Sequence, residues 1–218
     1  MPDASALAYR KAHSLLGWDE SSKNGYVFTH DFFLPNIPNW TKWFAESITY
    51  SPIMCLEIGS WQGGSATWLL DKIVSQRGGI LTCIDTFEGS SEHAPWIDSI
   101  GDSIENIFDH NTRASGHLRF CQKMRGKSQS ILPTLSEGNF HFIYIDGAHE
   151  AKYVIQDAVY SWRLLCIGGF LLFDDVDYKF TNAPMQNTIH AIQAFTDLFR
   201  ADMEIIWRGR QMLIRKLS

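Results

Sequence analysis

The chain has 218 residues, long for one domain and short for two, and its 45% hydrophobic and 20% charged content excludes a disordered polypeptide. A net charge of -5 argues against a broad basic face, so nucleic acid is not an expected partner. Cys55, Cys83, Cys121 and Cys166 form no CxxC pair and each sits in or beside an apolar run, so they read as small buried hydrophobes rather than a disulfide framework or zinc cluster.

That cysteine usage fits a reducing, cytoplasmic setting. No apolar run approaches the length of a membrane span, and the N-terminus lacks the apolar stretch of a signal peptide. No membrane partner is expected.

The first fifty residues are aromatic-rich and irregular. Ala4–Leu16 is a candidate helix; Pro35 and Pro38 then break the chain, and Asn39 is placed to cap a helix running to about Tyr50. Residues 1–51 are read as an N-terminal cap on a single domain of residues 1–218. Trp18, Tyr26, Phe28, Phe32, Phe33, Trp40 and Trp43 supply its apolar surface. That surface suits packing on its own domain, closing an active site or joining a second subunit, which leaves a homo-oligomer open.

From Pro52 the pattern changes. Strands are expected at Ile53–Ile58, Ile80–Ile84, Leu118–Cys121, Phe140–Ile145 and Phe170–Phe173. Helices are expected between them at Ser65–Ser75, roughly Ser128–Leu135, and Glu150–Leu165, the last with Val154, Ala158, Trp162 and Leu165 at helical spacing. Pro184–Phe199 reads as a helix, and Met203–Trp207 and Gln211–Arg215 as a hairpin around Arg208, Gly209 and Arg210. Apolar strands alternating with helices indicate a parallel sheet covered on both faces. The expected fold of residues 52–218 is therefore α/β: a Rossmann-like, doubly wound, mostly parallel seven-stranded sheet with an antiparallel edge hairpin. Phe87–Ser115 resists assignment; it should lie above the strands' C-terminal edge, as a lid or substrate loop or as a surface excursion. Lys123, Arg125 and Lys127 form a local basic patch that reads as a solvated loop.

Two constellations carry chemistry. In the first, the opening strand runs into Leu56-Glu57-Ile58-Gly59-Ser60-Trp61-Gln62-Gly63-Gly64-Ser65. Gly59 and Gly63 let the backbone turn tightly and approach a ligand, Ser65 can cap the next helix, and Glu57 puts a carboxylate at the strand end. The second strand ends in Asp85, whose carboxylate can take both hydroxyls of a ribose. The loop reads GxxxG after an acid, not the GxGxxG of a pyrophosphate site. A carboxylate there suits a cationic ligand with an amino-acid end, such as S-adenosylmethionine.

In the second, two later strands end in Asp146-Gly147-Ala148-His149 and in Asp174-Asp175. With one helix between them, the carboxylates of Asp146, Asp174 and Asp175 should meet at one sheet edge, where their repulsion calls for a hard divalent cation such as magnesium. Helix capping by Asp146 and Asp174 is the alternative. His149, on the same loop, could take a proton from a substrate hydroxyl.

These motifs together resemble class I methyltransferases, and within them the metal-dependent O-methyltransferases similar to catechol O-methyltransferase. The bacterial branch of cephalosporin-hydroxylase-like and macrolide-sugar methyltransferases looks most similar. The resemblance runs from about Ile53 to Val176 and rests on LEIGSWQGGSA, ILTCID, RGKSQSILPTL, YIDGAH and GGFLLFDDV in that order. It implies that Glu57, Gly59, Ser60, Gly63 and Ser65 line the cofactor's amino-acid end together with Asp146. It also implies that Asp85 holds the ribose, that Ser128 and Gln129 sit near the adenine, and that Asp146, Asp174 and Asp175 bind the metal. His149 falls where the catechol enzyme has its catalytic lysine, Asp175 replaces an asparagine, and the 87–115 insert has no close counterpart. Those departures favour a sugar or natural product over a catechol.

The expected function is a magnesium-dependent transfer of methyl from S-adenosylmethionine to a hydroxyl of a small molecule, with Asp146 and His149 as the catalytic pair. Trp61, His93 and Trp96 are candidate acceptor walls. The rivals are a metal-independent methyltransferase, a nucleotide-sugar or dinucleotide-binding protein, and a non-catalytic binding module.

Overall fold

A computed structural model describes residues 25–30, 32–90, 97, 100 and 103–218; the candidate helix Ala4–Leu16 and the candidate wall residues His93 and Trp96 lie outside the described residues. A 3-10 turn, Leu34–Asn36, leads into α1 (Ile37–Glu46). The core then runs β1 (Ile53–Ile58), α2 (Gly64–Leu69, continued by a π-helical stretch Leu70–Val74 and by Ser75–Arg77), and β2 (Gly79–Asp85). After it come α3 (Ile104–Ala114), β3 (Cys121–Arg125), α4 (Ser128–Ile131), β4 (Phe140–Ile145), α5 (Ala151–Leu164) and β5 (Leu165–Phe173). The chain ends with α6 (Thr188–Leu198), β6 (Met203–Arg208) and β7 (Met212–Lys216).

The seven strands form one sheet in the order β3-β2-β1-β4-β5-β7-β6. β1 to β5 are mutually parallel, and β7 runs antiparallel to both β5 and β6. This is the expected Rossmann-like sheet with its hairpin at the edge. Two apolar cores sandwich it. One holds Trp40 and Phe44 of α1 with Trp68, Leu69 and Phe108. The other holds Leu132, Trp162 and Phe195 from the later helices. Burial on both faces is why the inner strands read as apolar runs.

Three expectations shift. α1 begins at Ile37, capped from Asn36, so Asn39 lies inside its first turn and not at its cap. Pro38 sets this boundary, since proline's fixed φ suits the first turn of a helix. Leu118–Phe120 is a 3-10 turn, and the third strand lies one segment later, at Cys121–Arg125. Its apolar signal is weak because it is an outer strand. Lys123 and Arg125, expected in a solvated loop, sit on this strand: Lys123 Nζ lies 2.6 Å from Asp109 and 3.0 Å from Glu105, and Arg125 2.8 Å from Glu105. Charged side chains on an edge strand also discourage pairing with another chain. Finally, Cys55 and Cys83 are buried, but Cys121 and Cys166 are only partly so.

The sheet reverses direction of growth between β1 and β4, and this switch point is where such sheets bind ligands. The two strands approach very closely there. A Cβ added to Gly59, at φ 86°, would lie 1.9 Å from the Asp146 carbonyl oxygen. The loop beyond is anchored from below. Glu57 is fully buried, and the Ser65 hydroxyl donates to its carboxyl. Ser65 therefore does not cap α2, as expected of it; Gly63, at φ 85°, is the cap residue.

Gly59→Ala should destabilise the domain by about 2–4 kcal/mol, because both its φ and its backbone contact forbid a side chain. Gly138→Ala, at φ 65° with open space around it, should cost only about 1 kcal/mol by the left-handed conformation alone. Urea midpoints for the pair test this, and equal losses would show that the β1–β4 contact yields. The Glu57 carboxyl is pushed up to about 7 by burial. An unfolded glutamate titrates near ~4.3, so Glu57's contribution is full below that, falls as pH rises to about 7, and is constant above. The stability of the wild type relative to Glu57→Gln should therefore fall by about 2–4 kcal/mol across that window. Urea unfolding of both proteins from acid to neutral pH reads it, and a flat difference would mean that Glu57 titrates alike in the folded and unfolded chains.

Candidate active site

Above the C-terminal ends of β1, β2, β4 and β5 lies a cavity of about 600 Å³. Gly59, Ser60 and Ser65 of the glycine loop line it, with Asp85, Ser128 and Gln129. Asp146, His149, Asp174 and Asp175 line it as well. The two constellations read from the sequence thus face one space. Glu57 and Gly63 do not line it. Glu57 sits beneath the loop, and Gly63 turns against the Phe108 ring.

Among the described residues three non-glycines adopt positive φ, and all three follow strand ends at this rim: Trp61 (φ 48°), Phe87 (φ 58°) and Asp175 (φ 46°). Such conformations cost energy and gather at functional sites. Each is held by a strand-end aspartate. Asp85 Oδ2 accepts from the amides of Ser60 (2.7 Å) and Trp61 (2.8 Å), and its Oδ1 from that of Phe87 (2.7 Å). Asp174 Oδ1 accepts from the Asp175 amide at 2.7 Å. Asp85 therefore shapes the loops on both sides of it while lining the cavity, with about one of its four acceptor positions unused by these amides.

The acidic group is built from β4 and β5. Asp146, His149 and Asp175 each offer a ligand atom within 4.8 Å of the others. His149 Nε2 stands 3.3 Å from Asp175 and 3.8 Å from Asp146. Asp174 is more committed. The Tyr144 hydroxyl and Gln211 Nε2 (3.1 Å) both donate to its Oδ2, and Asn36 Nδ2 reaches the same atom at 3.4 Å. Tyr144 also meets Asp146 Oδ2 at 2.9 Å. Burial, and then the mutual repulsion of these carboxylates, raises Asp146 and Asp174 above the usual carboxylate range, while His149 pulls Asp146 back. Arg210 pairs with Asp175 from the hairpin at 3.1 Å.

Ser128 and Gln129 stand at the other end of the cavity. Both donate to Asp157 Oδ1 on α5, at 2.7 and 3.1 Å. The remaining wall comes from the N-terminal segment, through Phe28, His30, Phe32 and Phe33. Two fully buried amides hold that segment in place. Asn111 of α3 bonds the Val27 amide (2.8 Å) and carbonyl (2.7 Å), and Gln62 bonds the Thr29 amide (2.8 Å) and hydroxyl (2.7 Å). Trp61, expected as a wall or as core, lines the cavity and meets the Phe32 ring edge-on at 6.2 Å.

The sequence reading missed Tyr144, Gln211, Asp157, Asn111 and Gln62. Only Tyr144 carried a usable signal: two residues before Asp146 on the same strand, it must point to the same face. The others are polar residues whose partners are distant in the chain.

Comparison with known proteins agrees with this geometry. A family model described as a methyltransferase domain matches residues 56–176. Among solved structures, cofactor-bound Rv0187 from MTB superposes with a TM-score of 0.62 at 16% identity, over 99% of this chain and 98% of that one. The O-methyltransferase TomG from Streptomyces achromogenes, in complex with SAM, gives 0.60 at 16% identity over 100% and 92%. An O-methyltransferase from Bacillus cereus, in complex with SAH, gives 0.61 at 18% identity over 99% and 93%. At these identities the likeness is one of fold. The family match spans more than half the chain and runs from the end of β1 to the residue after the Asp174–Asp175 pair. The chain belongs to the methyltransferase domain family and is a methyltransferase of the Rossmann-like, class I type.

Proposed function

We propose that this methyltransferase transfers a methyl group from S-adenosylmethionine to a hydroxyl of a small molecule. One observation carries the reading: a single cavity is bounded by the glycine loop and Asp85 on one side and by the Asp146–His149–Asp175 group on the other. Structural neighbours described as O-methyltransferases, two of them with SAM or SAH bound, support the cofactor and the oxygen acceptor. The cofactor's amino-acid end goes to Gly59, Ser60 and Asp146, its ribose to Asp85 and its adenine to Ser128 and Gln129. The chain acts as one domain, and its N-terminal aromatic residues form the acceptor wall.

The acidic group fits a divalent cation. Asp146, His149 and Asp175 present ligand atoms within 4.8 Å of one another, a set in which carboxylate oxygens predominate, as a hard cation requires. A magnesium ion held there, with Asp174 as the further carboxylate of the set, would neutralise those charges and lower the pKa of an acceptor hydroxyl. His149 accepts the hydroxyl proton. S-adenosylmethionine, held by Gly59, Ser60, Asp85 and Asp146, would supply the methyl group to that oxygen and depart as S-adenosylhomocysteine. Orientation of the two reactants supplies much of the rate.

A second reading rests on the pairs already present. His149 between Asp146 and Asp175, and Arg210 on Asp175, offset the acidic charge within the protein, as a metal-independent methyltransferase would need.

Titration calorimetry should show S-adenosylmethionine binding at micromolar Kd. A further heat on adding magnesium, abolished by chelator, selects the first reading, and activity insensitive to chelator selects the second. Absence of binding in both conditions would remove the cofactor assignment. His149→Ala should lower turnover by on the order of a hundredfold or more with cofactor still bound, and Asp146→Ala should lower it at least as much while also weakening the cofactor. Magnesium affinity should fall in Asp146→Ala alone; a matching fall in His149→Ala would make His149 a ligand instead of the base.

A further inference from the structure

Behind the Ser128–Gln129 side of the cavity lies a buried acid that the proposed chemistry leaves unused. Asp157 on α5 is 1% exposed, and one of its oxygens takes both the Ser128 hydroxyl and the Gln129 amide nitrogen. We infer that Asp157 is a positioning residue that sets the polarity of the adenine-reading pair, turning Ser128 and Gln129 into hydrogen-bond acceptors towards the cofactor's exocyclic amino group. The inference rests on the S-adenosylmethionine reading proposed above.

The logic is one of donor and acceptor inventory. An ionised carboxylate can only accept. Ser128 has one hydroxyl hydrogen, and Asp157 takes it, so what remains on that oxygen is lone pairs. Gln129 can meet the carboxylate only through its NH₂, and this settles the amide's orientation: the carbonyl oxygen must point away from Asp157. Both side chains line the cavity. A purine carrying an amino group at C6 offers a donor to such a pair. A purine carrying a carbonyl there offers an acceptor, and two acceptors face each other without a proton between them. Burial lifts Asp157 only to about 6, so at slightly alkaline pH it remains the acceptor that this scheme requires.

Asp157 also stands close under the loop that follows β4. A Cβ added to Gly147 would come within 3.8 Å of its Oδ2. The acid therefore has both a polar task at the cavity and a packing neighbour, and affinity alone cannot separate the two. A ratio of affinities can.

The test is calorimetric titration at pH 7.5 with S-adenosylhomocysteine and with S-inosylhomocysteine, its C6-carbonyl analogue, on wild type and Asp157→Asn. Wild type should prefer the adenine ligand by about three- to tenfold, the net worth of one hydrogen bond to a half-buried acceptor. Asparagine can donate to Ser128 and let the Gln129 amide turn over, so in Asp157→Asn that preference should collapse towards unity. A purely structural role would weaken both ligands equally and keep the ratio, which would overturn the inference, as would a wild type that binds both equally well. Wild type binding neither ligand would overturn the cofactor reading beneath it. If Asp157→Asn does not fold, Gln129→Met, which removes the oriented carbonyl and leaves Asp157 in place, must collapse the same ratio, and an unchanged ratio there refutes the inference.

Discussion

The whole site hangs on one close approach, the contact between the backbones of β1 and β4 at Gly59 and Asp146. The Gly59 amide bonds to Ile84 of β2 at 2.9 Å, and the Asp146 amide bonds to Ile58 at 2.8 Å, so three parallel strands are stitched together at their ends. No side chain fits between them. This lets the glycine loop leave β1 directly beside the strand that delivers Asp146. Any widening would separate the loop from the acidic group, and the single cavity would become two shallow clefts.

The loops around that contact are strained, and the strain is stabilised by the same aspartates that the sequence marks as ligands. Asp85 tethers Trp61 and Phe87, and Asp174 tethers Asp175, in each case through a backbone amide of a left-handed residue. A carboxylate has room for several hydrogen bonds, so tethering does not empty it of capacity. It does settle its orientation. In Asp85 three backbone bonds use most of the carboxylate's acceptor positions.

A polar relay ties the N-terminal region to the acidic group. Trp40 on α1 donates to Gln211 at 3.0 Å, Gln211 donates to Asp174, and Tyr144 bridges Asp174 to Asp146. Asn111 and Gln62 tie the preceding segment to α3 and to the glycine loop. Residues 26–30 and 32–50 are thereby part of the same body as the sheet, with Trp40 packed edge-on against Tyr144 at 4.8 Å. Gln62 thus ties the N-terminal wall of the cavity to the glycine loop directly.

The sequence by itself determined the order of elements, the parallel sheet with its antiparallel hairpin, and the strand ends at which the chemistry sits. These are local properties: apolar runs, helical spacing, glycines where the chain must turn, and acids immediately after them. Only the tertiary structure decided which way each acid faces. Glu57 turns inward to Ser65, Asp174 is occupied from three elements, and Asp157 lies behind the Ser128–Gln129 pair although nothing near it in the chain says so. The third strand and its lysine and arginine were hidden for the same reason, since an edge strand need not be apolar and its charges are answered by a helix earlier in the chain. Hydrogen bonds between residues far apart in sequence have no periodicity to read, and they exist only once the strands have fixed the distances between their ends.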